Sequence, residues 1–200
     1  MANITFDMRE ANAMLELEFR TIKKWDEVLW AQIERIYHEA FPSGAKTKVI
    51  LRSMLERQIG CLHIGVHHGE AVAMAVTGLG GKDKDRMMMI DYLAVEQKLR
   101  GSGIGTWMLE QLKAWALREH GITGVIIEVE SGSTDAHQER IQFWQRSGFI
   151  LTSYVHQYRM VPELYQAMML PLDGSAYVRD DGEALFRYIN AFHKIAYRKS

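Results

Sequence analysis

The sequence predicts an α+β domain built on a central mixed, mostly antiparallel sheet of about seven strands. Three observations carry this. Two strand-like runs, 61–67 and 71–79, are joined across His68-Gly69-Glu70, a tight hairpin signal that makes the first part of the sheet antiparallel. An apolar run at 87–95 is followed by a helical stripe and then by the β-branched run 125–129, which reads as a right-handed strand, helix, strand crossover with a parallel pair. Strand and helix patterns then continue to the end with no linker, internal repeat or low-complexity tract.

Each element follows from its own periodicity. Leu15, Leu17 and Phe19 alternate with Glu16, Glu18 and Arg20, the period of a half-buried strand. Trp25, Val28, Leu29, Ile33, Ile36, Tyr37 and Phe41 recur at three- and four-residue steps, so a helix runs up to Pro42 and ends before it. A shorter helix covers about 48–58, with Ile50, Leu51, Met54 and Leu55 on its apolar side and Gly60 placed to end it. Beyond the hairpin, 82–86 is a charged loop and 87–95 is long enough to cross the middle of a sheet. Met87, Met88 and Met89 then pack against helices on either side of that central strand. Ile104, Met108, Leu112 and Trp115 form one helical stripe that Gly121 stops. A helix at about 135–147, strands near 149–158 and 165–172, and a final amphipathic helix through Leu185, Tyr188, Ile189, Phe192 and Ile195 complete the order.

Composition narrows the function. The chain has 200 residues, 48% of them hydrophobic, enough to bury one sizeable core, and three prolines with scattered glycines offer no place to divide it. One domain over 1–200 is expected, with a leader at 1–14, a core at 15–172 and a C-terminal helix within 173–200. Lys and Arg number 24 against 25 Asp and Glu, and a net charge of −1 provides no field for nucleic acid or a membrane surface. A small molecule is the expected partner. The lone Cys61 has no disulfide mate and suits a reducing compartment, and Asp7, Arg9 and Glu10 break up the leader where a signal peptide would be apolar. No later run approaches the roughly 20 apolar residues of a membrane span. These features point to a cytoplasmic protein. The last helix covers the sheet or meets a second subunit in a homodimer.

The most informative stretch is Arg100-Gly101-Ser102-Gly103-Ile104-Gly105-Thr106, which closes an apolar strand and opens a helix. A helix amino terminus presents bare N–H groups and the positive end of its dipole, and glycines let a diphosphate approach that backbone. A plain strand-to-helix turn is the simpler alternative. A P-loop reading fails because no lysine follows the glycines. A dinucleotide turn would use Glu128 or Glu130 in the next strand as its ribose carboxylate, yet the third glycine is out of step and an antiparallel hairpin precedes the loop.

With these residues the sequence resembles the GNAT superfamily of N-acetyltransferases. Its coenzyme A signature, Gln/Arg-x-x-Gly-x-Gly/Ala after the fourth strand, is matched by Arg100, Gly103 and Gly105 behind Tyr92-Leu93-Ala94-Val95. Phe143-Trp144-Gln145-Arg146-Ser147-Gly148-Phe149 is similar to its second motif, and Ala40-Phe41-Pro42 to a junction some members carry. The resemblance covers about 15–172. It implies a GNAT-like sheet with helices on both faces. It further implies an enzyme that moves an acetyl group directly from acetyl-CoA, the co-substrate, to an amine of a small molecule or peptide. Strands four and five would splay to admit the pantetheine arm. Leu93, Ala94 and Val95 would pair with that arm, an amide near Val95 would polarise the thioester carbonyl, and Arg100, Gly101, Ser102, Gly103, Ile104, Gly105 and Thr106 would hold the diphosphate. His137 and Trp144 would contact the cofactor from the following helix. No metal is required.

The base stays open among Asp91, Glu128 and Glu130, each with a structural reading beside the catalytic one. Trp144 stands where many members place the tyrosine that protonates the thiolate, and an indole N–H is no such acid. Tyr154, Tyr92 or water is left for that step. A chain lacking its acid is also compatible with a non-catalytic coenzyme A module, the second reading, and a nicotinamide oxidoreductase is the third. His137 replaces a common asparagine and Gln97 a common proline, and neither change forbids binding. Cys61, His63, His67 and His68 match no standard metal spacing.

Overall fold

The computed structural model describes residues 16–81, 86–159, 161–172 and 181–198. The leader and most of the charged loop at 82–86 lie outside the described residues. Along the chain the elements are β1 (Leu17–Ile22), α1 (Glu27–Ala40), α2 (Lys48–Glu56), β2 (Gly60–His67), β3 (Glu70–Gly80), β4 (Met87–Val95), α3 (Ile104–His120), β5 (Gly124–Glu130), α4 (Asp135–Arg146), β6 (Ile150–Gln157), β7 (Leu164–Pro171) and α5 (Gly182–Ala196). Hydrogen-bonded neighbours run β1-β2-β3-β4-β5-β7-β6 in a seven-stranded, mostly antiparallel sheet. This is the expected α+β fold.

Local chemistry sets the boundaries. The Asp26 carboxylate accepts from the amides of Val28 and Leu29 at 2.9 and 3.0 Å, so α1 begins with its orphan donors satisfied. It stops at Phe41, ahead of Pro42. The end of α2 differs from the sequence expectation. Gln58 takes the left-handed turn at φ 57° while the Ile59 amide donates back to Met54 O, and Gly60 is already the first residue of β2. The hairpin turn is as expected, with His68 at φ 50° and Gly69 at φ 85°, the paired left-handed geometry that matches strand twist.

The chain falls into two compact units, Met1–Val76 with Tyr92–Ala114, and Thr77–Asp91 with Trp115–Ser200. In the first, β1 and β2 pair antiparallel from Leu17↔His67 to Ile22↔Leu62. Trp30, Ile33, Ile36 and Tyr37 of α1 are buried there, as are Leu51, Met54 and Leu55 of α2. Gly65 of β2 admits Trp107 of α3, since a Cβ there would lie 3.0 Å from its ring.

In the second unit, β4 and β5 pair parallel through Met87↔Gly124, Met88↔Val125 and Met89↔Ile126. On its other edge β5 pairs with β7 along its whole length, from Gly124↔Pro171 to Glu130↔Tyr165. Inserting β7 between β5 and β6 leaves β6 as the edge strand. Helix α5 buries Leu185, Phe186, Ile189 and Phe192.

Candidate active site

The glycine loop belongs to the first unit. After β4, a short 3-10 turn at Gln97–Leu99 brings the chain round, and α3 starts at Ile104. Gly101 and Gly103 sit at φ 81° and 87°, a region costly for any residue with a Cβ. An added Cβ at either would meet nothing within 4 Å, so the backbone is bare on that side. The Ser102 hydroxyl donates to Leu99 O at 2.6 Å, which fixes the loop from within. The Ser102 amide donates back to Leu99 O at 3.4 Å and the first helical bond runs from the Trp107 amide to Gly103 O, so the amides of Ile104, Gly105 and Thr106 belong to a first turn that has no acceptor within the helix. Arg100 is exposed, with its Nε donating to Val95 O at 3.3 Å. Left-handed glycines, an open face and a fixed cation together suit a diphosphate.

The strand leading into this loop is held firmly. Leu93 and Val95 of β4 are half-buried while Tyr92 and Ala94 are buried. Glu96 continues β4, its amide donating to Val72 O at 2.9 Å and its carboxylate accepting from Arg35 at 2.5 Å. The Tyr92 hydroxyl is committed elsewhere: it accepts from the Lys46 amide at 3.0 Å and donates to Gly44 O at 3.3 Å. Tyr37 donates to Lys46 O at 3.0 Å, so two tyrosines clamp the loop between α1 and α2. The Lys46 ammonium lies 5.1 Å from the centre of the Tyr92 ring.

The carboxylates belong to the second unit, and they differ sharply. Glu128 accepts from the Tyr158 hydroxyl at 2.8 Å on one oxygen and contacts His193 Nε2 at 2.9 Å on the other. Its side chain is 20% exposed and that of His193 18%. Burial first, then the Glu128 charge and hydrogen bond, with Tyr165 and Asp91 adding to them, push the Tyr158 hydroxyl far above the usual tyrosine range. Tyr165 of β7, paired in register with Glu130, is pushed up to about 12 by burial and by Glu130, Glu128 and Glu163. Asp91 is half-buried in β4 and acts on the same tyrosine.

Glu130 is engaged by His137 Nε2 at 2.8 Å and by the Arg140 guanidinium. His137 is therefore a partner of Glu130, and its ring lies over Gly132, where a Cβ would reach within 1.6 Å of Nδ1. Trp144 packs edge-on against Phe143 and Phe149, each at 5.0 Å, across the Gly148 turn that closes α4. Tyr154 lies beneath α5, its hydroxyl 3.4 Å from His156 Nδ1. In the first unit His63 is buried, stacked on Phe19 with Nδ1 3.0 Å from Thr21 Oγ1, which accounts for it as packing.

Tyr158 and His193 escaped the sequence reading. Tyr158 shares the parity of Thr152, Tyr154 and His156 on β6, and His193 lies four residues beyond buried Ile189 on α5. A polar residue intruding on an apolar stripe is the one signal that marks His193.

The family model described as "Acetyltransferase (GNAT) family" matches residues 28–149. A putative GNAT-family acetyltransferase from Bacteroides thetaiotaomicron superposes with a TM-score of 0.65 at 20% identity, covering 89% of this chain and 95% of that one. The ribosomal-protein-S18-alanine N-acetyltransferase from Escherichia coli gives 0.57 at 16% identity, covering 82% and 99%. A GNAT-family acetyltransferase from Elizabethkingia anophelis with acetyl-CoA bound gives 0.56 at 16%, covering 78% and 98%. At these identities the likeness is one of fold. No curated protein matches the chain.

Proposed function

From the premise that the chain belongs to the acetyltransferase (GNAT) family and moves an acetyl group from acetyl-CoA to an amine, we propose which of its residues carry the step. The chain acts as one catalytic domain, a reading supported by a family match that runs through segments of both units. A non-catalytic coenzyme A module is not favoured by that membership.

The observation that carries the site is the loop at 100–106, with two left-handed glycines open on one side and a helix starting behind them. Arg100 and the loop of Gly101, Ser102, Gly103, Ile104, Gly105 and Thr106 hold the diphosphate, the donors being amides of the first turn of α3. The β4 backbone at Leu93, Ala94 and Val95 pairs with the pantetheine amides, and a backbone N–H near Val95 faces the carbonyl oxygen on which negative charge develops. The bound donor supplies an activated acetyl thioester with a thiolate as leaving group.

Glu128 is the base in this reading. It is a half-buried carboxylate whose two oxygens are already oriented, so it takes a proton from the acceptor ammonium without first reorganising. Glu130 is set aside because a permanently charged guanidinium, that of Arg140, is paired with it, whereas the groups on Glu128 are a hydroxyl and an imidazole. Asp91 adds negative potential that draws the cationic amine. Trp144 and His137 support the cofactor side through α4. For the thiolate, Tyr92 is committed to Gly44 and Tyr158 is held protonated, which leaves Tyr154 as the donor.

The acceptor is a small-molecule or peptide amine. Among the described residues no helix is long and apolar enough to cross a membrane, and the single Cys61, its thiol pushed up by burial, fits action in the reducing cytosol. A homodimer through the exposed Ile195 and Tyr197 of the last helix region completes the proposal.

The test is thiol release from acetyl-CoA across a panel of amino acids, polyamines, amino sugars and short peptides. Glu128→Gln lowers kcat by roughly a hundredfold or more with donor affinity kept, whereas Glu130→Gln costs less than about tenfold. Equal losses, or no loss at Glu128, would sink the assignment.

A further inference from the structure

Helix α5 lies beyond residue 149, where the family match ends, yet it places a side chain on the carboxylate singled out above. Resting on the reading of Glu128 as base, we propose that His193 is a positioning residue of this enzyme. Through Nε2 it holds one oxygen of Glu128 so that the carboxylate stays aimed at the incoming amine.

The geometry is that of a two-sided clamp. His193 Nε2 lies 2.9 Å from Oε1, and the Tyr158 hydroxyl donates to Oε2 at 2.8 Å. An ionised carboxylate only accepts, so the clamp requires the imidazole proton on Nε2. A glutamate has three side-chain torsions, and two donors from separate segments of the chain leave it one orientation. Both ends of the His193 contact are about four-fifths buried. The helix that delivers the imidazole is itself anchored. The Asp181 carboxylate caps it through the Ala184 amide at 2.9 Å, and Phe186 and Ile189 are fully buried two turns and one turn before His193. Phe192, the adjacent residue, rests on Gly78. The imidazole also meets the Tyr158 ring edge-on at 6.3 Å, so the two donors brace each other.

Among the described residues, the charged and titratable groups around Glu128 include Tyr158 after β6, Tyr165 on β7 and His193 on α5, with Asp91 of β4 acting on Tyr158 and Glu130 of β5 on Tyr165. Tyr158 and Tyr165 stay protonated through neutral pH, so their charge does not change where the enzyme works. Loss of the His193 donor is felt at the carboxylate itself: a hydrogen bond to the charged form favours it, and removing that bond makes ionisation of the base harder.

The experiment compares full-length wild type with His193→Ala, His193→Gln and Glu128→Gln, using the best amine of the panel and acetyl-CoA. His193→Ala is expected to lower kcat by about tenfold or more, leave the dissociation constant for acetyl-CoA unchanged, and move the acidic limb of kcat/KM upward. His193→Gln, whose amide N–H replaces the donor, restores kcat to within about threefold of wild type. An Ala variant with kcat within about twofold of wild type and an unmoved limb overturns the proposal, and so does a Gln variant as slow as Ala. Should Glu128→Gln turn over normally, the base assignment itself fails; should it be dead while His193→Ala is normal, only the role of His193 fails. Nitrogen-detected NMR of the imidazoles in the free wild-type chain needs no acceptor and covers variants that do not fold. A proton on Nε2 of His193 supports the clamp, and a neutral ring protonated on Nδ1 alone overturns it.

Discussion

The Tyr158 hydroxyl donates to the Glu128 carboxylate at 2.8 Å, and burial together with that negative charge holds the phenol in its protonated form. The consequence for stability has a definite sign. An unfolded tyrosine ionises near pH 10, whereas the folded Tyr158 does not. Stability from this residue is therefore fully present below pH 10 and drains away as pH rises above it. Tyr165, pushed up to about 12, adds to the same window. Between pH 9 and 11 the thermal midpoint of the wild type should fall more steeply than that of Tyr158→Phe, which removes the ionisable group, and parallel curves would refute the linkage.

Gly78 is the surface on which Phe192 lies. A Cβ at that position would sit 2.0 Å from Phe192 Cε2 and 2.6 Å from Cδ2. Phe192 is 7% exposed, so the ring has little room to retreat, and overpacking of this kind costs about 1–3 kcal/mol. Gly78→Ala should lower the thermal midpoint by several degrees. Because His193 follows Phe192, kcat should drop as well while acetyl-CoA still binds. Calorimetry and donor titration on the same sample separate the two effects.

The fold was legible where a rule of spacing applies within one element. Alternation exposed β1, stepwise apolar residues exposed α1, and His68-Gly69 announced its turn. The end of α2 was not legible, because glycine is the usual left-handed residue and Gln58 took that conformation two residues before Gly60. The glycine loop was readable because its chemistry is in the backbone, and three glycines in seven residues announce it. The carboxylates were another matter. Glu128 and Glu130 have the same parity on one strand and look alike in sequence, yet one is held by Tyr158 and His193 and the other by His137 and Arg140. His193 is 65 residues from Glu128, and no local pattern carries that pairing.

Tyr92 supplies a test of the proton donor. Its hydroxyl bridges Lys46 N and Gly44 O, so Tyr92→Phe leaves a buried amide without its acceptor, at a cost of about 1–3 kcal/mol. The variant should melt earlier and yet keep kcat within about threefold, since a hydroxyl committed to a carbonyl does not reprotonate the thiolate. A hundredfold loss in kcat with donor affinity intact would instead make Tyr92 the acid.

Gly103 offers the sharpest test of the diphosphate cradle, because space and strain act there separately. Nothing lies within 4 Å of a Cβ built on it, so a side chain clashes with no neighbour, but φ 87° penalises any residue other than glycine. Gly103→Ala should therefore lose about 1–2 kcal/mol of stability through the backbone alone. Gly103→Asp adds a negative charge where phosphates are held, in front of amides that attract anions. Its dissociation constant for coenzyme A should rise by at least about tenfold over that of Gly103→Ala, equivalent to roughly 1.4 kcal/mol, with a similar melting temperature. Titration calorimetry with coenzyme A and with its dephosphorylated pantetheine fragment distinguishes the causes. The Asp variant should lose affinity for the first and not for the second, and equal losses for both would place the diphosphate somewhere other than this loop.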